Sequence, residues 1–206
     1  MLITINTWLS FITAAIACIF TACTETQSRS YAIRDFSESL QPYLRKIVDK
    51  GIVGYDSNTK FIERNATDIE LEKLSRSEHP VLRAIALREM MERPGFDHFQ
   101  VIMNNLSDTA TVAVEEGEWG IRHYRVSDDM LHHGKWKDSA AYKTTIQKII
   151  SEHHYLTSAF DKIGHIKLNE THYPIVKKML NRKRNFYDHF EHYEKALYIL
   201  ASYKKI

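Results

Sequence analysis

The stretch Ser77-Glu-His-Pro80-Val-Leu82-Arg-Ala-Ile85-Ala-Leu87-Arg-Glu-Met90-Met-Glu-Arg93 decides how the rest of the chain is read. Pro80 stands where a first-turn proline belongs: the amide it lacks would be unpaired there, and its fixed φ is already helical. A helix is therefore expected to start at His79 or Pro80. Leu82, Ile85, Ala86, Leu87 and Met90 form a broad apolar stripe at helical spacing, while Arg83, Arg88, Glu89 and Glu92 fall largely on the other side. Arg93-Pro94-Gly95 ends the helix, because a residue before proline avoids the α region and glycine tolerates the turn.

Upstream, Thr67-Asp-Ile-Glu70 has capping-box spacing, in which the threonine hydroxyl and the glutamate carboxylate each satisfy an orphan amide. A helix through Leu71 and Leu74 to about Ser75 then precedes the central one, so the two read as an antiparallel pair. Downstream, Phe96, Phe99, Ile102, Met103 and Leu106 repeat the apolar spacing. This succession resembles a HEAT-type repeat, most closely over 69–106 and more weakly over 139–205. The resemblance implies an all-α fold over 37–206, a short α-solenoid of stacked antiparallel helix pairs, and a role in binding other macromolecules.

Further out, Ser39-Leu40-Gln-Pro42-Tyr43-Leu44 through Ile47, Val48 and Gly51 reads as an amphipathic helix with an early proline and a terminal glycine. Residues 52–66 are polar and turn-rich, with Phe61 and Ile62 expected to pin them to the core. The stretch 109–126 departs from the repeat: Thr111-Val-Ala-Val114 and Ile121-Arg-His-Tyr-Arg125 are β-branched and aromatic with partial alternation. A degraded helical repeat, or an irregular or β-hairpin-like insertion between repeats, is expected there, with irregular structure favoured. Ser127-Asp-Asp129 caps a helix carrying Met130 and Leu131. Further helices are expected from 138 or 139 to Glu152, from Tyr155 to Ile163, from Asn169 to Asn181 and from Phe190 to Lys205.

Seven glycines and four prolines in 206 residues favour helices over a turn-rich β sandwich. With 28 basic and 26 acidic residues the formal charge is only +2, which gives no global electrostatic case for nucleic acid. The basic run from Lys177 to Arg184 reads as a solvated helix terminus. No Gly-rich phosphate loop is present. Residues 2–22 are mostly apolar and uncharged, and the sequence turns polar directly after Cys23. Such a segment looks like a secretory signal, and Phe20-Thr-Ala-Cys23 resembles a bacterial lipoprotein signal. That resemblance implies that 1–22 is removed, Cys23 is lipidated, 23–36 is a tether, and the body is held extracytoplasmically at a membrane surface. Simple secretion and an uncleaved anchor are the alternatives.

The 11 histidines are the one unusual chemical inventory. The pairs His132-His133 and His153-His154 diverge by about 100° on a helix and so chelate one metal poorly. His189 and His192 share a helix side, but no metalloprotease motif accompanies them and the only cysteines are Cys18 and Cys23. No metal, cofactor or small-molecule substrate is expected. Glu115-Glu116 reads as a solvated turn and Asp128-Asp129 as a helix N-terminus. Exposed aromatics on or beside 109–126, namely Trp119, Tyr124 and Trp136, are the expected partner surface. The leading expectation is a non-enzymatic interaction or scaffold module with a protein partner. The alternative is a metal-binding protein or hydrolase assembled from His123, His132, His133, Glu116 and Asp129.

Overall fold

A computed structural model of the chain describes residues 30–133, 140–153 and 172–180, together with 156, 158, 159, 198 and 201. In chain order the elements are α1 (Gln41–Lys50), β1 (Ile52–Val53), α2 (Ser57–Asn65), α3 (Asp68–Leu74), α4 (Pro80–Glu92), α5 (His98–Asn105), β2 (Thr111–Glu115), β3 (Ile121–Arg125), α6 (Val126–His133), α7 (Ala140–Glu152) and α8 (Tyr173–Leu180). The expected helices over 155–163 and 190–205 lie almost wholly outside the described residues.

The all-α solenoid is not what the chain forms. The strands make a three-stranded mixed sheet in the order β1-β2-β3, and α4 packs against β1 and β2 as well as against α1, α3, α5 and α6. β1 runs parallel to β2, with Ile52 opposite Ala113 and Val53 opposite Val114. β2 and β3 are antiparallel, from Thr111 opposite Arg125 to Glu115 opposite Ile121. The segment 109–126 is thus neither irregular nor inserted between repeats: it is a hairpin forming one wall of the core. Val112 and Val114 alternate inward, which is what a sheet with one buried face requires. Gly51, left-handed at φ 66°, ends α1 and turns the chain straight into β1.

Helix α4 departs from its expected stripe for the same reason. Beyond Leu82, Ile85, Ala86, Leu87 and Met90, the residues Val81, Ala84 and Met91 are buried too. A helix apolar on every side is a core helix, whereas a solenoid helix keeps a solvent face. The arginines along it are engaged rather than solvated. Arg83 forks onto Asp108 (Nε–Oδ2 2.7 Å, Nη2–Oδ1 3.1 Å) and donates to the Ser77 carbonyl (2.8 Å). Arg88 forks onto Asp129 through Nε–Oδ2 at 2.8 Å and a second contact from Nη2 to Oδ1. Arg93 binds Glu89 and Asp68, each at 2.8 Å, and donates to the carbonyls of Ala66 (2.9 Å) and Glu63 (2.7 Å).

Local rules account for the other helices. Thr67 and Glu70 form the expected capping box: Glu70 N–H donates to Thr67 Oγ1 (3.2 Å), and Thr67 N–H donates to Glu70 Oε2 (3.0 Å). Residues 57–65, expected to be polar turns, form α2, because Asp56 Oδ1 accepts from the amides of Asn58 (2.9 Å) and Thr59 (3.1 Å). Ile62 is buried there, and Phe61 stacks on Tyr43 of α1 with centroids 3.7 Å apart. Helix α6 begins at Val126, ahead of the Ser127-Asp-Asp129 stretch expected to cap it. Ser127, Asp128 and Asp129 therefore lie in its first turn and are buried, with Ser127 Oγ donating to the Asp108 carbonyl (2.8 Å) and Asp128 accepting from the amide of Ser158 (2.9 Å).

Leu87 is fully buried, whereas Ile69 on α3 is 68% exposed. Leu87→Ala is therefore expected to lower the unfolding free energy by about 3 kcal/mol, the cost of lost transfer energy and a residual cavity. Ile69→Ala is expected to stay within about 0.5 kcal/mol. Urea denaturation of the two variants checks this, and similar losses for both would contradict the burial assigned to α4.

Candidate functional site

The hairpin presents its apolar face to α4 near its base and its polar and aromatic residues toward its tip. The antiparallel register fixes which residues share a face. Tyr124 lies opposite Val112 and Arg122 opposite Val114, so both belong to the core-side face; Ile121, His123 and Arg125 belong to the outer face with Thr111, Ala113 and Glu115. Three residues, Gly117–Trp119, form the 3-10 turn at the tip, which opens on positive-φ Gly117 (55°) and is followed by positive-φ Gly120 (76°). The Glu116 amide donates to the Gly120 carbonyl at 2.9 Å and closes the turn.

A continuous ladder of side chains runs from the tip toward α6. Trp119 is 77% exposed, and the Arg122 guanidinium carbon lies 6.0 Å from its ring centroid. Arg122 Nε is 3.1 Å from Glu116 Oε2. The other carboxylate oxygen of Glu116 accepts a short hydrogen bond from the Tyr124 hydroxyl. The Tyr124 ring then stacks on His132 of α6, with centroids 5.7 Å apart and planes 20° from parallel. One carboxylate thus fixes both a guanidinium and a phenol, and through the guanidinium it supports an exposed tryptophan.

The electrostatics keep the phenol of this assembly protonated. Burial raises the Tyr124 phenol to about 12, helped by its bond to the Glu116 carboxylate and opposed by Arg122. At neutral pH Tyr124 is a hydrogen-bond donor and not a phenolate. Exposed apolar groups gather at the same end of the sheet: Trp119, Ile121 (54% exposed) and Tyr55, which follows the end of β1. Tyr55 lies at that end because Val53 pairs with Val114, and the turn that follows is tied to β2 where Lys50 bridges Asp56 (3.1 Å) and Glu115 (3.5 Å).

Of the residues expected to form a partner surface, Trp119 and Tyr124 are brought onto one ladder, while Trp136 lies outside the described residues. Of the residues of the alternative metal or hydrolytic reading, Glu116 and His132 both touch Tyr124, and the others are set apart. Asp129 is fully buried against Arg88, Glu116 is held by Arg122 and Tyr124, and His123 faces the opposite side of β3 from Tyr124. His133 ends α6, and its side chain lies outside the described set. Among the described residues, no group of three or more His, Cys, Asp or Glu side chains is arranged to hold a metal ion. No helix among them is long and apolar enough to cross a membrane. Cys23 and the segment 1–22 also lie outside the described residues. Sequence reasoning missed Arg122, Glu116 as its anchor, Tyr55 and Ile121; the β alternation of 121–125 was the signal that could have placed Arg122 beside Tyr124.

Because the folded-state pKa of Tyr124 lies above the ordinary phenol value of 10.0, the native state keeps a proton that the unfolded chain gives up. The stability this contributes is complete below pH 10 and is lost as pH rises toward 12. Tyr124→Phe is expected to flatten the decline of stability across that window and to remove the highest-pH step of the phenolate absorbance titration. An unchanged titration in the variant would show that Tyr124 ionises as a solvated phenol.

Comparison of the chain with protein-family models, with curated proteins and with solved structures returned no match.

Proposed function

We propose that this chain is a non-enzymatic protein-interaction module whose contact surface is the hairpin tip, centred on Trp119 and bordered by Ile121 and Tyr55. The observation that carries the reading is a tryptophan standing largely in solvent on a guanidinium that is itself pinned by a carboxylate. Such a side chain is already ordered before it meets anything. Binding then costs less rotamer entropy, and tryptophan, tyrosine and arginine are the residues that carry interface energy. A carboxylate with both oxygens engaged and a phenol that keeps its proton are suited to fixing shape rather than moving protons.

The module is further proposed to be tethered outside the cytoplasm through lipid on Cys23, on the strength of the uncharged apolar run 2–22 and the polar switch after the cysteine. Mass measurement of the mature N-terminus decides this: a diacylglyceryl-modified Cys23 is expected, and an unmodified Met1 would remove the tether.

The surface itself is tested by placing a photocrosslinking amino acid at position 119 and, as a control, at the similarly exposed position 69, in cells that make the protein. A discrete protein adduct is expected at 119 and not at 69, weakened by Arg122→Ala because the indole loses its support. The same adducts at both positions, or none at 119, would remove the tip as the contact surface.

A further inference from the structure

Residues 30–40, which precede α1, lie against the body as a strap. Phe36 and Leu40 are buried and hold its inner end, with Gln41 Nε2 donating to the Phe36 carbonyl (2.9 Å). The outer end is only partly buried and is held by backbone. Tyr31 N–H donates to the Arg76 carbonyl (3.1 Å), and the Tyr31 carbonyl accepts from Glu78 N–H (3.3 Å), which makes an isolated parallel bridge to Ser77. Between the two ends stands a 3-10 turn, Ile33–Asp35, and Asp35 Oδ2 accepts from the Ala32 amide at 2.8 Å. A short backbone bridge with little buried area makes the outer end the weaker attachment. Lifting it leaves Phe36 and Leu40 in the core, so the fold survives the release.

The Ser77–Glu78 peptide group is shared between the strap and α4. Its N–H reaches the strap, and its C=O, which a trans peptide directs the opposite way, accepts from Arg83 Nη1 at 2.8 Å. The other edge of that guanidinium forks onto Asp108. Asp108 in turn receives the Ala110 amide on its carboxylate, and the Ser127 amide and hydroxyl on its carbonyl. An unbroken series of links therefore runs from the strap to both strands of the hairpin at its base. Each hydrogen bond in such a chain polarises the next, and a planar guanidinium cannot follow one partner without leaving the other.

We infer that the outer end of the strap is a latch on the hairpin. Docked, it fixes the hairpin base through Arg83 and Asp108; drawn off, it frees that base and loosens the presentation of Trp119. The functional consequence rests on the interaction reading of the hairpin tip, to which the latch adds a control. Its input is displacement of the chain preceding Tyr31, because Tyr31 is the first described residue with a backbone bond to the body. Its output is local, since the relay ends on the two residues that enter and leave the hairpin.

The test is amide hydrogen exchange of the purified full chain followed by NMR. It is read at Val126 and Ser127, whose amides bond to the Ala110 and Asp108 carbonyls, and at Gly51 and Ala66, which lie off the relay. Tyr31→Pro removes the strap's donor, whereas Tyr31→Ala keeps that donor and loses only the ring. Tyr31→Pro is expected to speed exchange at Val126 and Ser127 by about fivefold, and Tyr31→Ala by about twofold or less, with Gly51 and Ala66 unmoved by either. Arg83→Lys keeps the charge but cannot fork, so in that background Tyr31→Pro is expected to leave the hairpin base unchanged. Coupling is reciprocal, so Asp108→Asn is expected to speed exchange of the Glu78 amide on the far side of Arg83 by about threefold. Unmoved amides at 126 and 127, equal acceleration at all four positions, or equal effects of proline and alanine would each overturn the latch. So would an undiminished effect in Arg83→Lys or an unmoved Glu78 amide in Asp108→Asn. The photocrosslink at position 119 reads the consequence, and Tyr31→Pro is expected to lower its yield by about threefold or more. An unaltered yield over a loosened base would overturn control of the surface by the strap. Absence of the adduct in the unaltered chain would instead remove the tip reading, and the latch would be decided by exchange alone.

Discussion

Everything in this fold follows from the need to enclose a helix whose apolar residues spread around nearly its whole circumference. Helix α4 buries Val81, Leu82, Ala84, Ile85, Ala86, Leu87, Met90 and Met91, and these residues cannot be covered by a single neighbouring helix. Successive positions on a helix turn by about 100°, so residues five apart point about 140° away from each other. Arg83, Arg88 and Arg93 therefore leave the helix in three well-separated directions. Each finds an aspartate on a different element: Asp108 before β2, Asp129 in α6 and Asp68 in α3. The apolar surface supplies the driving force, and the forked ion pairs specify which element lies on which side. Replacing such a pair with apolar groups can be neutral for stability, but removing one partner strands a charge. Their role is to fix the arrangement more than to strengthen it.

Much of this was legible in the sequence where the cause is local. The capping box at Thr67 and Glu70, the first-turn Pro80 and the left-handed Gly51 each act within a few residues of themselves, and each is where it was expected. What could not be read depends on distant partners. β1 is two residues long and exists only because Ala113 and Val114 lie beside it. The five-residue strands of the hairpin were visible as alternation, yet nothing local says whether such a hairpin is an insertion or a wall. The stripe on α4 misled for a related reason: arginines look like a solvent face until their partners are known, and those partners are 25 and 41 residues away. Asp56 was the missed local signal, since an aspartate directly before a run of helix-compatible residues is an N-cap.

The candidate surface shows the same division. Trp119 could be singled out as an aromatic on a polar turn, but the ladder that holds it needs the register of β2 against β3, which brings Arg122, Tyr124 and Glu116 within reach of one another. Histidines and acidic pairs drew attention in the sequence because such residues can do chemistry. In the folded chain Asp128 and Asp129 serve α6 and its contacts, accepting from the Ser158 amide and from Arg88. The helix N-terminus read for Asp128 and Asp129 is where they lie, and their partners on distant elements are what the sequence did not show.

Asp108 occupies an unusual junction. Its carboxylate holds Arg83 and accepts from the Ala110 amide (3.2 Å), while its carbonyl accepts from both the amide (3.2 Å) and the hydroxyl (2.8 Å) of Ser127. It thus clasps the residues entering the first strand and those leaving the second, at the end of the hairpin away from the tip. Loosening this one position would free both strands of the hairpin at once, because a lever works only while its fulcrum is fixed.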